Sequence, residues 1–192
     1  MISATNRFTA VLDASVLFPN MKRDILLRFH EADLYRARWT EKIQQEWLVR
    51  ARERFPDNVA KLDRTDALMR EHFEDCWVGG HEKFIPIVDL PNDPDDNHVV
   101  AAAIACKAQY IVTDNVRDFP PECLEPFDLE RGTADHFLSG TFDHFQYKAF
   151  SVLREHRRGL RSQPGATEYL MNLRQKGLPM LAARLLPMKD SL

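Results

Sequence analysis

Two short apolar runs have the character of buried β-strands. The first, Phe8–Leu12, ends at Asp13, and the second, Tyr110–Thr113, ends at Asp114. Short runs of apolar and β-branched residues that stop at turn-forming residues are typical of strands inside a sheet. We therefore predict two buried strands, each followed directly by an aspartate.

Helical spacing of apolar residues fills most of the chain between these runs. Thr40 is placed to cap a helix that ends before Pro56, and Asp57 is placed to cap the next one. Helices are predicted over 24–32, from Thr40 to about 55, from Asp57 to about 76 with Val59, Leu62, Leu68 and Met69 inward, and over 99–106. Ile85–Val88 is predicted as a short strand, and its proline suggests an edge strand or the start of a strand. Strands that alternate with helices favour a parallel sheet, whose ligands bind beyond the carboxyl ends of the strands.

The chain changes character after about residue 143. Three helical segments are predicted there, over 143–161, 166–176 and 178–186, and they are separated by proline and glycine. No further strand is indicated. We predict an α/β domain over residues 1–140 and a helical extension over residues 141–192.

Composition excludes several classes of protein. A chain of 192 residues with 44% hydrophobic residues is long and apolar enough to fold around one core. It contains neither an apolar run that could cross a bilayer nor the features of a secretory signal, so we expect a cytoplasmic protein. The three cysteines are odd in number and widely spaced, which argues against a disulfide framework and a cysteine zinc site.

Charge is divided unevenly along the chain. Residues 1–145 have 17 basic and 26 acidic side chains, whereas residues 146–192 have 9 basic and 3 acidic ones. The basic tail could contact RNA phosphates or an acidic protein partner through Arg154, Arg157, Arg158 and Arg161 on one helical flank, with Lys148 one or two turns earlier. On charge alone, a solvated helical hairpin is the simpler explanation of this tail.

Carboxylates from four places in the chain are predicted to meet at one edge of the sheet. They are Asp13, Glu46, the group Asp93, Asp95 and Asp96, and the pair Asp114 and Asp118. Acidic groups crowded without a cation repel one another, and a divalent cation removes that penalty. Oxygen ligands suit Mg²⁺ or Mn²⁺, and the matching chemistry is phosphodiester hydrolysis.

Other sites lack their necessary residues. The segment 93–104 begins like a calcium loop, but His98 replaces the required glycine and Ile104 the closing glutamate. A phosphatase of the D-x-D-x-T type is ranked well below, because Ser15 replaces its second acid. The histidines form no zinc motif, and His98 and His136 are expected on the surface.

Three segments resemble the PIN-domain family, which includes the ribonuclease toxins of bacterial toxin–antitoxin pairs. They are VLDASVL at 11–17, RWTEKIQQEW at 38–47 and DPDDNHVVAAAIACKAQYIVTDNVRDF at 93–119. The resemblance covers about residues 1–140. It implies a parallel-sheet α/β/α sandwich with the helical tail as an extension.

The resemblance also implies the site residues. Asp13, Glu46 and Asp96 would be metal ligands, with Asp95 or Asp93 left to cap the helix. Asn115 stands where many members have aspartate, so Asp114 or Asp118 could complete the site with it. Ser15 and Thr113 are the hydroxyls expected to orient the carboxylates or a bound water.

The function that follows from this resemblance is an Mg²⁺- or Mn²⁺-dependent endoribonuclease that leaves a 5′-phosphate and a 3′-hydroxyl. The family further implies a toxin held inactive by a cognate antitoxin, and a homodimer. The alternative is a catalytically weak PIN-fold module that binds RNA or protein, an interpretation favoured by Asn115 and the basic tail.

Overall fold

A computed structural model describes residues 8–192, and its centre is a four-stranded parallel sheet. The strands are β1 (Thr9–Leu12), β2 (Arg36–Arg38), β3 (Tyr110–Val112) and β4 (Glu130–Gly132). Their order across the sheet is β2-β1-β3-β4, and every neighbouring pair is parallel. The two central strands, β1 and β3, are buried along their whole length, as the two apolar runs predict.

Ten α-helices surround and follow the sheet in this part of the chain. They are α1 (Ala14–Leu17), α2 (Asn20–Glu31), α3 (Glu41–Arg54), α4 (Val59–His72), α5 (Asn97–Cys106), α6 (Pro121–Leu124), α7 (Ala134–His144), α8 (Gln146–Gly159), α9 (Ala166–Gln175) and α10 (Pro179–Leu185). The parallel sheet with its helices confirms the predicted α/β/α class, and α8, α9 and α10 confirm the helical tail. Within residues 8–192, no helix has both the length and the apolar character needed to cross a membrane.

One predicted strand is wrong. Ile85–Val88 lies in and beside a 3₁₀ helix, Glu82–Ile87, rather than in the sheet. The Val88 N–H donates to the Ile85 carbonyl, and Ile87 is 59% exposed. A short apolar run with proline thus forms a local turn here, because its backbone groups bond within the segment.

The start of α4 also differs from the prediction. Asp57 lies in a 3₁₀ turn, Pro56–Asn58, and α4 begins after it without a side-chain cap. Leu62 and Met69 are buried as expected, whereas Val59 and Leu68 are exposed. Helical spacing predicted the helix correctly, but it assigned Val59 and Leu68 to the buried face, and this assignment is wrong.

Helix α3 begins as the sequence predicts. The Thr40 hydroxyl accepts a hydrogen bond from the Ile43 N–H at 3.2 Å. Ile43, Trp47 and Leu48 are fully buried and fix the rotation of the helix. Glu46 is consequently half-buried, between the core and the surface.

Helix α5 carries the acidic DPDDN segment to the sheet edge. Its first residues follow a 3₁₀ turn, Pro94–Asp96, in which the Asp93 carboxylate accepts from the Asp95 N–H at 3.1 Å. The residues from His98 to Ala103 are buried, and the helix packs on β1 and β3. This packing places Asp96 directly before the amino end of α5.

The C-terminal helices are packed onto the α/β domain. The Asp135 carboxylate, on α7, accepts from the N–H groups of Met180 and Leu181 at 2.8 and 2.9 Å. His156, on α8, is 1% exposed and lies 3.1 Å from the Asp24 carboxylate of α2. The tail is therefore a docked helical layer rather than a solvated hairpin.

Candidate metal centre

Three aspartates come together where the DPDDN segment meets the loop after β3. Asp93, Asp96 and Asp118 each offer a carboxylate oxygen, and these oxygens lie within 4.8 Å of one another. All three side chains are half-buried. An arrangement of this size is compatible with a single cation bound by oxygen ligands.

Four further carboxylates act electrostatically on Asp96. Burial, followed by the negative charges of Asp13, Asp93, Glu46 and Asp118 in that order, raises the pKa of Asp96 to about 7. Like charges favour protonation of a carboxyl group, whereas a bound cation favours its ionised form. Of the three acids that the sequence proposes as ligands, Asp96 thus lies in the cluster with Asp93 and Asp118, and Asp13 and Glu46 are near enough for their charges to act on it.

Asp13 is held rigidly at the end of β1. Its Oδ1 accepts from the Ala14 N–H at 2.7 Å, and its Oδ2 accepts from the hydroxyls of Ser15 at 2.6 Å and Thr113 at 2.8 Å. The side chain is only 3% exposed. Both hydroxyls proposed from the sequence therefore contact this carboxylate, and they leave Oδ1 with a lone pair free of these contacts.

The loop after β3 contains the three candidates for a fourth ligand, Asp114, Asn115 and Asp118, and it gives them different surroundings. The Asn115 side chain is exposed, and its backbone N–H donates to the Thr113 hydroxyl at 3.0 Å. The Asp118 N–H donates to the Asn115 carbonyl at 2.9 Å, and this turn returns the Asp118 carboxylate to the acidic cluster. Asp118 is the acid of this loop that lies with the others.

Asp114 has a different environment. Its carboxylate pairs with the Lys22 ammonium at 2.5 Å, and its N–H donates to the Ser15 hydroxyl at 3.0 Å. Lys22, on α2, is itself 9% exposed. The geometry therefore favours Asp118 over Asp114 as a metal ligand. Lys22 carried no signal in the sequence, because nothing local connects it with a residue 92 positions later.

Glu46 lies between a lysine and a buried histidine. Its Oε1 is 3.7 Å from the Lys42 ammonium and 3.0 Å from His98 Nε2, although the latter contact lacks the direction of a hydrogen bond. His98 is 2% exposed, so its predicted place on the surface is wrong. Its position on the inner side of α5 explains the error, since the helix is buried almost all round.

The arginines proposed for RNA or partner contacts serve different roles in the fold. Arg157 donates to the carbonyls of Pro164 at 2.7 Å and Leu192 at 3.0 Å, which ties the end of α8 to the chain that follows. Arg158 is exposed and lies 3.7 Å from Glu155. Arg154 is half-buried, with its guanidinium 5.9 Å from the Phe150 ring.

A second group of potential metal ligands in residues 8–192 consists of a histidine, an aspartate and a cysteine rather than of oxygen donors alone. His30, Asp75 and Cys76 bring one atom each within 4.8 Å, and Cys76 Sγ lies 3.2 Å from His30 Nε2. Burial, followed by the charge of Asp75, raises the pKa of the Cys76 thiol to about 12. Because metals bind the thiolate, this cluster is best described as a hydrogen-bonded packing contact.

Comparison with known proteins matches both parts of the chain. The sequence profile described as PIN domain matches residues 9–117, and the profile described as VapC50 C-terminal domain matches residues 134–187. A protein of Mycobacterium tuberculosis named "Putative ribonuclease VapC50" is 33% identical over 67 residues, which are 35% of this chain and 40% of that protein. No solved structure gives a significant match.

Proposed function

Because the chain belongs to the PIN domain family, we propose that it is an endoribonuclease that needs Mg²⁺ or Mn²⁺. The observation that carries this proposal is the cluster of Asp93, Asp96 and Asp118, together with the charges of Asp13 and Glu46 that act on Asp96. The relative named a ribonuclease supports RNA as the substrate, although the aligned segment covers less than half of that protein.

The donor set fits a hard divalent cation. We assign Asp13, Glu46, Asp96 and Asp118 as the residues that would hold it, with Asp93 beside them and Asn115 at the rim. All of these side chains offer oxygen, the donor that Mg²⁺ and Mn²⁺ prefer. When bound, such an ion supplies a hydroxide at neutral pH and neutralises charge on the phosphodiester.

The residues of the chain prepare this centre in two ways. Ser15 and Thr113 donate to Asp13 and hold its carboxylate in one orientation. Lys22 forms an ion pair with the carboxylate of Asp114, and this pair lowers the local negative charge on the side of α2. A phosphate approaching five carboxylates meets less repulsion when such cations lie near it.

We further propose that the enzyme is the toxin of a toxin–antitoxin pair and acts as a homodimer. The match of residues 134–187 to a domain described as VapC50 C-terminal domain supports the toxin role, and the homodimer is what the family resemblance implies. Expression of the chain alone should arrest growth, whereas the Asp96→Asn variant should not. Co-expression of an antitoxin-like protein from the neighbouring reading frame should restore growth and co-purify with the chain.

A catalytically weak PIN-fold module that binds RNA or protein is the second candidate. One observation favours it: Asn115 stands where many members have an acid, and its side chain is exposed at the rim. Such a module would bind RNA without cutting it in the presence of any divalent cation.

Cleavage of a pool of structured and single-stranded RNA separates these functions. The wild type should cut with Mg²⁺ or Mn²⁺ and not with EDTA, and both Asp13→Asn and Asp96→Asn should abolish cutting. Asp95→Asn is the matched control, since Asp95 lies in the same turn, is exposed and is outside the cluster. Failure of the folded wild type to cut with either cation would favour the binding module.

A further inference from the structure

Two phenylalanine rings, Phe18 and Phe55, form a stacked pair at the surface. The ring centroids of Phe18 and Phe55 are 6.2 Å apart and their planes are inclined by 19°. Phe55 is 46% exposed, and Phe18 is half-buried. A pair of nearly parallel rings that remains partly open to solvent offers a flat apolar face.

Chain connectivity places each ring a short way along the chain from a candidate ligand. Phe18 directly follows α1, five positions after Asp13, and its N–H donates to the Ala14 carbonyl at 2.9 Å. Phe55 directly follows α3, the helix that carries Glu46. Phe55 lies nine positions after Glu46, which corresponds to a rise of about 13 Å along the helix axis. Helices α1 and α3 pack against each other, so the two rings lie at the same end of this contact.

Positive charge accompanies the rings. The Arg54 guanidinium carbon lies 5.9 Å from the centre of the Phe55 ring, and Arg54 is exposed. Arg50 is exposed one turn after Glu46, on the same stripe of α3. The stripe thus runs from an acidic centre to two arginines and an aromatic face, and its basic part is complementary to a phosphate backbone.

The backbone under Phe18 is firmly anchored. Buried Arg23 donates to the carbonyls of Leu17 at 2.6 Å and Phe18 at 3.5 Å, and its guanidinium stacks 4.4 Å from the Trp47 ring of α3. Burial lowers the pKa of Arg23 to about 10, which leaves it charged at neutral pH. The backbone that carries Phe18 is therefore held before any ligand arrives, which reduces the ordering required on binding.

We propose that Phe18 and Phe55 form a stacking surface for unpaired bases of RNA, with Arg50 and Arg54 contacting the adjacent phosphates. This assignment rests on the proposed function, and it narrows the substrate of the proposed nuclease to single-stranded RNA. Aromatic rings stack on every base, whereas paired bases keep their faces inside a duplex. The acidic centre would then act on the single strand that this surface holds.

The first test measures binding without cleavage. The full chain is titrated, in EDTA, into a fluorescent single-stranded RNA of mixed sequence and into its duplex. Phe55→Ala should weaken single-strand binding about 5- to 100-fold and leave duplex binding unchanged, and Phe55→Trp should restore it. Phe145→Ala is the matched control, because Phe145 is 48% exposed but lies beside Tyr110 and Glu130, at the amino ends of the strands.

A second measurement reports on stacking directly. A 2-aminopurine in the single strand should lose fluorescence on binding to the wild type and to Phe145→Ala, and keep it with Phe55→Ala. Phe18→Ala, checked for folding by circular dichroism, should behave as Phe55→Ala does. Unchanged single-strand affinity in both phenylalanine variants would overturn the proposal, as would an equal loss for single strand and duplex.

The arginines give an independent test. Arg54→Gln should flatten the dependence of log binding constant on log salt concentration by about 0.7, the value for one phosphate contact on a single strand. Arg36→Gln, at an exposed arginine that begins β2, should leave the slope unchanged. If instead the phenylalanine and Arg54 variants keep RNA affinity but fail to bind a co-purified protein partner, the surface is a protein site and the RNA assignment is wrong.

These results are separable from the outcome for the proposed function. Binding that depends on Phe55 in a protein that never cuts RNA would retain the stacking surface and reject the nuclease. Cutting that is lost in Asp96→Asn but is insensitive to Phe18 and Phe55 would retain the nuclease and reject the surface.

Discussion

The hydroxyl of Thr113 donates to the carboxylate of Asp13 at 2.8 Å, across 100 positions of sequence. β1 and β3 are neighbours and parallel, with Leu12 opposite Val112. The residues that follow them are consequently adjacent at the carboxyl edge of the sheet. The pairing of two central strands thus fixes the orientation of the first acid of the centre.

Thr113→Val should weaken metal binding about 10- to 100-fold, because the variant keeps the shape of the side chain but removes the donor to Asp13. Calorimetric titration with Mn²⁺ at constant pH measures this loss. Thr113→Ser retains the hydroxyl and should bind Mn²⁺ nearly as the wild type does. Equal affinity of the valine variant and the wild type would show that the hydroxyl does not matter for the centre.

Asp118→Asn should weaken Mn²⁺ binding and RNA cleavage more strongly than Asp114→Asn. The Asp118 carboxylate lies in the acidic cluster, whereas that of Asp114 is paired with Lys22. Asp114→Asn should instead lower the free energy of unfolding by about 1–3 kcal/mol, since it leaves a buried ammonium without its partner. Urea denaturation and Mn²⁺ titration of both variants separate the two effects, and the reverse order of metal affinity would assign the ligand to Asp114.

The raised pKa of Asp96 predicts how the metal-free protein depends on pH. Between the ordinary pKa of 3.8 and about 7, the folded chain keeps a proton that the unfolded chain has released. The contribution of Asp96 to the free energy of unfolding should therefore fall as the pH rises through this range and level off above it. Binding of Mn²⁺ should tighten over the same range, because the metal displaces the proton.

Urea denaturation in metal-free buffer at pH 5 and pH 8 tests this expectation against Asp96→Asn. The variant cannot titrate at this position, so it should gain stability relative to the wild type at pH 8 more than at pH 5. An equal difference at the two pH values would place the pKa of Asp96 near its ordinary value.

The sequence predicted those parts of the fold that depend on local pattern. The structure confirms the two buried strands that precede Asp13 and Asp114, and it confirms the helix capped by Thr40. Continuous apolar runs and capping residues are strong local signals. β2 and β4 escaped prediction, since each has three residues and consists largely of polar ones, RAR and ERG. Their neighbours in the sheet, rather than their own composition, make them strands.

For the candidate metal centre, too, local sequence signals predicted some of the residues, whereas contacts between distant residues decided the others. The convergence of strand ends and helix starts in a parallel sheet predicted a group of acids at one edge, and the resemblance to the PIN-domain family singled out Asp13, Glu46 and Asp96 among them. The choice between Asp114 and Asp118 could not be made, because it depends on Lys22 and on the turn that the Asn115 carbonyl closes. Such contacts between distant residues leave no mark on the local sequence.

Arg157→Gln should destabilise the C-terminal helices without weakening RNA binding. Its guanidinium donates to two carbonyls, of Pro164 and Leu192, and the substitution removes hydrogen bonds that involve a charged group. We expect the free energy of unfolding to fall by about 1–3 kcal/mol. Arg158→Gln is the matched control, because its exposed pair with Glu155 should contribute less than about 1 kcal/mol. Urea denaturation and RNA titration of both variants decide the matter: an Arg157 variant of normal stability that binds RNA poorly would return this arginine to the RNA interface.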